Sequence, residues 1–183
     1  MTKNAIGIVE LSSIAGGYAS SDAMLKAANV DMLLARSICS GKYMVMVGGD
    51  VAGVQASVEA GVAASEGAII DSAVLSNIDP AVFPAISGAT GVTDLEALGV
   101  IESFSVTSLI QAADEAVKAA DVELIEIRLA MALGGKAFAT LTGKVSAVQA
   151  AIDAGGALVA EKGLLVNQVV IPRPHPNLLN EMV

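Results

Sequence analysis

Four small groups of residues have types and spacings that could do chemistry. The first is Cys39, the one thiol in 183 residues, inside Ser37-Ile38-Cys39-Ser40-Gly41. A lone cysteine commonly packs as a small hydrophobe, although a short Ser/Gly loop between strands makes a buried packing role less natural. One cysteine rules out an intrachain disulfide and any zinc site built from several thiols of one chain. The second is His175, the sole histidine, inside Ile171-Pro172-Arg173-Pro174-His175-Pro176. Three prolines hold its surroundings, so a packing or edge role suits it better than catalysis. The third is Gly48-Gly49-Asp50 ahead of a helix. Backbone N–H groups at a helix start attract anions, yet Asp50 as the cap puts negative charge where a phosphate would sit. The fourth is a pair of i,i+4 couples, Asp22 with Lys26 and Asp114 with Lys118, the spacing of exposed helix ion pairs. No Ser–His–Asp set, HExxH or P-loop accompanies them, and the chain reads as something other than an enzyme.

The elements that position these residues occur twice. Ala5-Ile6-Gly7-Ile8-Val9-Glu10 aligns with Ala97-Leu98-Gly99-Val100-Ile101-Glu102, and Asp22…Lys26-Ala27-Ala28 aligns with Asp114…Lys118-Ala119-Ala120 at the same offset. Farther along, Lys42 matches Lys136, Gly49 matches Gly143 and Val54-Gln55 matches Val148-Gln149 after a shift of register. The second copy therefore carries an insertion in the frame of Arg36 to Lys42. A repeat sought before anything else decides the fold. Each copy reads strand, helix, strand, strand, helix, strand. Ser12 or Ser13 caps the first helix and Asp50 the second. Ile14, Tyr18 and Leu25 share one helix face, repeated by Val106, Ile110, Ala113 and Val117. The second helices show Val51, Val54, Val58 and Val62, and Val145, Val148, Ile152 and Val159. The result is α+β: two tandem ferredoxin-like βαββαβ domains, over residues 1–90 and 93–183, each an antiparallel sheet with both helices on one face. Asn77 to Asp94, with Pro80, Pro84, Gly88 and Gly91, reads as the connector. The Pro-rich tail is expected to lie extended over the surface or along a neighbour.

Composition narrows the function classes. Hydrophobic residues make up 54%, aromatics 3%, and Trp is absent. Charged residues are 16%, against roughly 25% for an ordinary soluble domain, so part of the surface is expected to lie against neighbouring subunits. A net charge of −9 without a basic stripe argues against nucleic acid. The apolar runs are broken well before the ~20 residues of a membrane span, and the first ten residues lack a signal-peptide pattern. A cytoplasmic, reduced protein is the expectation.

The strand at Gly7, the Asp22…Lys26-Ala27-Ala28 helix, the Ser37–Tyr43 loop, the Gly49-Asp50-Val51 turn and the Ile171–His175 ending together resemble the bacterial microcompartment shell domain. The resemblance spans almost the whole chain, twice, and is closest to the tandem class. It implies a homotrimer that imitates the hexamers of single-domain relatives and tiles with other shell proteins in the microcompartment shell. In the propanediol-utilisation type with a cysteine in this loop, the first-domain loops meet on the threefold axis. The resemblance thus implies one [4Fe–4S] cluster per trimer with Cys39 as its ligand, and Ser37, Ile38, Ser40 and Gly41 as pore-loop residues. It makes Lys26, Lys118 and Arg173 tile-edge residues, and it implies an electron-transfer enzyme or a cargo as a further partner. Three thiolates would leave one iron of such a cluster for water or an outside ligand. Two departures matter. The second copy's loop, Ala130 to Gly135, is longer, apolar and without cysteine. The first copy ends in Ile78-Asp79-Pro80 instead of Pro-Arg-Pro-His. Two other readings stay open: a tile whose pore passes metabolites with Cys39 incidental, and a ferredoxin-like sensor binding a small ligand between subunits.

Overall fold

A computed structural model describes residues 5–181, with side chains through residue 178. The chain divides into two compact units. One holds the residues up to Ile78 together with Met131–Gly135; the other holds Asp79–Ala130 and the residues from Lys136 on.

In the first unit the order is β1 (Ala5–Leu11), α1 (Ile14–Ala27), β2 (Asp31–Ile38), β3 (Lys42–Gly49), α2 (Val51–Ala64) and β4 (Ile69–Ser76), with one 3-10 turn at Glu66–Ala68. The strands form one antiparallel sheet in the order β2-β3-β1-β4. The side chain of Ser13 accepts the Gly16 N–H at 3.1 Å, and that of Asp50 the Gly53 N–H at 2.9 Å, so both helix starts are capped. Val9, Leu11, Met24, Tyr43, Val45, Val47, Val54 and Val58 form the core between sheet and helices. Gly7 sets its depth: a Cβ there would fall 2.5 Å from Val58 and 2.9 Å from Val54, so the bare backbone lets α2 lie directly on β1.

The second unit begins with a short helix, α3 (Val82–Ser87), and continues β5 (Ala97–Ser103), α4 (Val106–Ala119), β6 (Val122–Arg128), β7 (Ala137–Gly143), α5 (Val145–Glu161) and β8 (Leu165–Pro172). Its sheet order is β6-β7-β5-β8, again antiparallel. The duplication extends to irregularities. β1 slips register at Glu10/Leu11 and β5 at Glu102/Ser103; β2 slips between Met32 and Leu34 and β6 between Leu124 and Glu126. A bulge adds one residue and re-aims the strand, so four matched slips are a signature of common descent from one domain. Gly99 repeats the role of Gly7, with Leu141 and Ile152 within 3 Å of its would-be Cβ.

Four expectations need correction. The face carrying Ile14, Tyr18 and Leu25 is exposed; α1 turns Gly17, Ser20, Ser21 and Met24 inward instead. Small residues are needed there because α1 and α2 cross closely, with Ser57 Oγ donating to the Met24 carbonyl at 2.9 Å and Ser65 Oγ to that of Gly16 at 2.8 Å. Val51 and Val145 sit at helix starts and are exposed, so they fall outside the buried stripes. The connector contains α3, capped by Gly88 in the left-handed region, and Pro84 is tolerated in its first turns, where an N–H has no helical partner anyway. The Pro-rich tail ends the edge strand at Pro172 and then forms a 3-10 helix over Pro176–Glu181. No helix among the described residues is long and apolar enough to cross a membrane.

Candidate functional site: the loop that carries Cys39

β2 and β3 are joined by Cys39-Ser40-Gly41 alone, so the thiol stands at the tip of a two-stranded ribbon. Ile38 anchors the ribbon by burying its side chain, Ser37 and Ser40 are exposed, and Gly41 is exposed in the left-handed region at φ +75° with open space around it. Glycine is the residue that adopts that conformation without steric cost. Cys39 is half-buried.

The first unit's extra segment, Met131–Gly135, lies beside this loop. The Ala132 N–H donates to Cys39 Sγ at 3.1 Å. Gly135, at φ +88°, would place a Cβ 3.4 Å from Ser40 Oγ and 3.6 Å from the Cys39 carbonyl, ordinary contact that fixes how near the two segments run. Ala132 is itself left-handed at φ +60°, a conformation that costs a non-glycine residue about 1–2 kcal/mol. That backbone turn is what aims its N–H at the sulfur.

Lys42 closes the base of the ribbon. Its Nζ donates to Glu10 Oε1 at 3.0 Å and to the Gly135 carbonyl at 3.4 Å. Glu10 is fully buried in β1. The ammonium is therefore paired with a buried carboxylate and keeps only a little contact with water. The second unit repeats the pair as Lys136 Nζ to Glu102 Oε1, 2.5 Å. Glu10 was not among the residues singled out from sequence, although an acid inside an apolar strand, repeated at Glu102, is the signal that marks it.

The other residues singled out from sequence lie elsewhere. Lys26 and Asp22 form an exposed pair on α1 at 2.6 Å; Lys118 and Asp114 form the matching pair on α4, also at 2.6 Å, with Asp114 buried. Arg173 follows β8, exposed and left-handed at φ +60°. His175 is exposed, its Nδ1 accepting the Asn177 N–H at 3.2 Å.

The donor set fits one corner of an iron–sulfur cluster and no more. Among the described residues no three His, Cys, Asp or Glu side chains converge as a metal site would require. One partly accessible sulfur with an N–H directed at it has the features of a cluster ligand, because hydrogen bonds to sulfur are a main means of tuning such centres. A complete cluster needs thiolates from several chains.

Comparison with known proteins agrees with this architecture. The BMC domain model matches the chain twice, over residues 5–78 and 97–174. The bacterial microcompartment shell protein PduT of Citrobacter freundii is 46% identical over 179 residues, covering 98% of this chain and 97% of its own length. The shell protein EutM of Salmonella typhimurium is 45% identical over 84 residues, which is 46% of this chain and 85% of that protein, as expected for a single-domain relative of a doubled chain. A crystal structure of a microcompartment protein from Desulfitobacterium hafniense superposes with a TM-score of 0.85 at 51% identity, covering 96% of this chain and 98% of that one.

Proposed function

The chain belongs to the BMC-domain family of bacterial microcompartment shell proteins, and from that premise we propose that three copies form a shell tile holding one [4Fe–4S] cluster on the threefold axis. The observation that carries the reading is the position of Cys39: the sole thiol of the chain, at the tip of a two-stranded ribbon, half-buried, with the Ala132 N–H directed at its sulfur. One thiol per chain makes the site a property of the assembly.

Each part of the loop has a task in this reading. Gly41 lets three backbones approach an axis where a side chain would collide. Ile38 holds the ribbon to its own core, so the thiol is presented without strand fraying. Ala132 offers its N–H to the thiolate charge. Lys42 and Glu10 neutralise one another beneath the loop and keep the ribbon base rigid. A bound cluster supplies one-electron transfer, which in a shell means passing electrons between its two faces without a solvent-filled opening. The partners are further shell proteins at the tile edges and an electron-transfer enzyme or a cluster-receiving cargo at the centre. PduT, a relative matched over nearly its full length, is by name a shell protein, and the tile is structural, not an enzyme.

Anaerobic reconstitution tests the reading. Wild-type protein is expected to hold about one cluster per three chains, with visible absorption bleached by dithionite. Cys39→Ser is expected to lose iron and sulfide entirely and to keep the three-chain mass, since Ser is nearly isosteric. Iron retained by Cys39→Ser, or none in anaerobic wild type, hands the loop to the metabolite-pore reading.

A further inference from the structure

Helix α3 and the connector behind it lie along β6, tied down where Thr90 Oγ1 donates to the Ile125 carbonyl at 2.6 Å. Between this cover and the strand is a cleft of about 320 Å³, with Ile86, Ser87, Thr90, Glu126 and Arg128 in its walls. Every residue lining it belongs to the second unit. Its size is that of a small-molecule site, which runs from about 300 to 1,000 Å³.

The duplication supplies an internal control for what this cleft contains. Directly after the β2 bulge Leu34 pairs with Met46; directly after the β6 bulge Glu126 pairs with Thr140. Met46 lies opposite Ile8 and Thr140 opposite Val100, so the two pairs are equivalent. The first repeat builds this step from two apolar side chains, and the second builds it from a carboxylate and a hydroxyl. Both polar groups are buried, and Thr140 Oγ1 has no hydrogen-bond partner among the described residues. A buried carboxylate and an orphaned hydroxyl each cost stability. The Leu–Met pair shows that the fold requires neither. The arginine two residues on, Arg36 or Arg128, is common to both repeats. The acid therefore stands beside an arginine only where the strand is covered.

We propose that this cleft binds a small α-amino acid as its zwitterion. Arg128 Nε donates to Glu126 Oε2 at 2.7 Å, which leaves the Nη end of the guanidinium and Glu126 Oε1 for a ligand. The planar guanidinium end matches a carboxylate in bidentate fashion, and the free carboxylate oxygen accepts from an ammonium. Ser87 Oγ donates to the carbonyls of Phe83 and Pro84 at 3.1 Å, and Thr90 Oγ1 to that of Ile125. With their protons committed, both hydroxyls offer lone pairs to further ammonium N–H groups. The two charges of the cleft cancel and its acceptors are in surplus. The complement is a molecule without net charge that has a carboxylate at one end and several N–H donors close by. A polyol has no charge to set against either side chain. Ile86 gives a short aliphatic side chain an apolar wall. The site is independent of Cys39 and of the number of chains in the assembly.

Titration of the full-length protein with L-alanine, followed by NMR at the backbone amides of residues 87–90, tests the site. A saturable shift is expected. N-acetyl-L-alanine, which lacks the ammonium, and glycerol, which lacks both charges, are expected to bind at least about ten-fold more weakly. Glu126→Leu installs the residue that the first repeat has at this step, and Arg128→Gln alters a side chain that is 58% exposed. Each is expected to weaken L-alanine by about the same factor, with the melting temperature close to wild type. Should Glu126→Leu melt early, Arg128→Gln and the two comparison ligands still decide the question. No saturable shift in wild type, glycerol or N-acetyl-L-alanine binding as well as L-alanine, or wild-type affinity in Arg128→Gln overturns the proposal.

Discussion

Glu10 and Glu102 occupy the same step of the two repeats, and each holds a lysine at the start of the following strand ribbon, yet their surroundings differ. The Glu10 side chain is fully buried and Lys42 nearly so, while Glu102 and Lys136 keep substantial contact with water. Removing one member of a buried pair leaves the other as an uncompensated charge, a loss of about 3–5 kcal/mol in full burial. Lys42 retains some water and the Gly135 carbonyl, so Glu10→Gln is expected to destabilise its unit by about 2–3 kcal/mol. Glu102→Gln is expected to lose about 1 kcal/mol or less, the scale of an exposed pair. Apparent melting temperatures of the two variants, compared side by side, check the order. Tyr43 makes a second residue-scale case. Burial, and after it the nearby Tyr18, raise its pKa above 10.0. The folded state holds this proton more tightly than the unfolded chain does, so the stability it contributes is present below pH 10 and is lost as pH rises through the folded value. Tyr43→Phe is expected to flatten the fall in melting temperature above pH 10, and an unchanged slope would refute the assignment. Cys39 was legible as a residue, since it is the sole thiol in a loop. The N–H of Ala132 on its sulfur was not, because that contact joins residues 93 apart in sequence.

Helix pairs show how far one domain's solution was carried into the other. α1 crosses α2 and α4 crosses α5, and the close points fall at Gly61 and Gly155, equivalent positions in the two repeats. A Cβ at Gly61 would meet Met24 Cγ at 2.5 Å and both Met24 Sδ and Ser20 Oγ at 2.8 Å, all of them side-chain atoms, which can shift by a change of rotamer. A Cβ at Gly155 would meet the Ala112 carbonyl oxygen at 2.6 Å, which is backbone and cannot swing away. Alanine in a helix interior gains up to about 1 kcal/mol over glycine, while overpacking costs about 1–3 kcal/mol. Both changes are therefore expected to destabilise, Gly155→Ala clearly more than Gly61→Ala. Thermal melts of both decide it, and equal effects would mean that α4 and α5 separate as readily as a methionine turns. At this scale the sequence was readable wherever the two copies agree, because matched strings located every strand and helix of the βαββαβ units. It misled on α1. Its apolar residues lie on the outer face, while the inner face is made of Gly, Ser and one Met, a composition that helical periodicity does not recognise as core. α3 escaped because six residues between prolines and glycines leave no period to read.

Across the whole molecule, the i,i+4 ion pairs on α1 and α4 become informative once assembly is considered. Lys26 and Lys118 are equivalent in sequence and each closes an i,i+4 pair at 2.6 Å, but Lys26 is 74% exposed and Lys118 only 37%. The difference follows from cover: in the connector the Asp79 N–H donates to Asp114 at 2.8 Å, and Asp114 is buried where Asp22 is exposed. In the proposed three-chain tile the two lysines occupy equivalent edge positions, and three two-domain chains together present six edges. The exposed Asp22–Lys26 pair contributes only about 0.3–0.5 kcal/mol to its helix, so Lys26→Ala is expected to leave melting temperature and trimer mass unchanged, while Lys118→Ala, which takes the ammonium from the buried Asp114, is expected to lower the melting temperature modestly and to keep the trimer mass. Both are expected to weaken sheet formation, and by the same amount, because each would remove the contact from three of six edges. Pelleting of sheets at matched protein concentration, with electron microscopy of the pellet, measures this directly. A Lys118→Ala defect without a Lys26→Ala defect would mean that the edges remain unequal after assembly, with only the second repeats tiling. Normal sheets from both would remove the lysines from the edge and leave Arg173, exposed at the start of the tail, as the residue to change next.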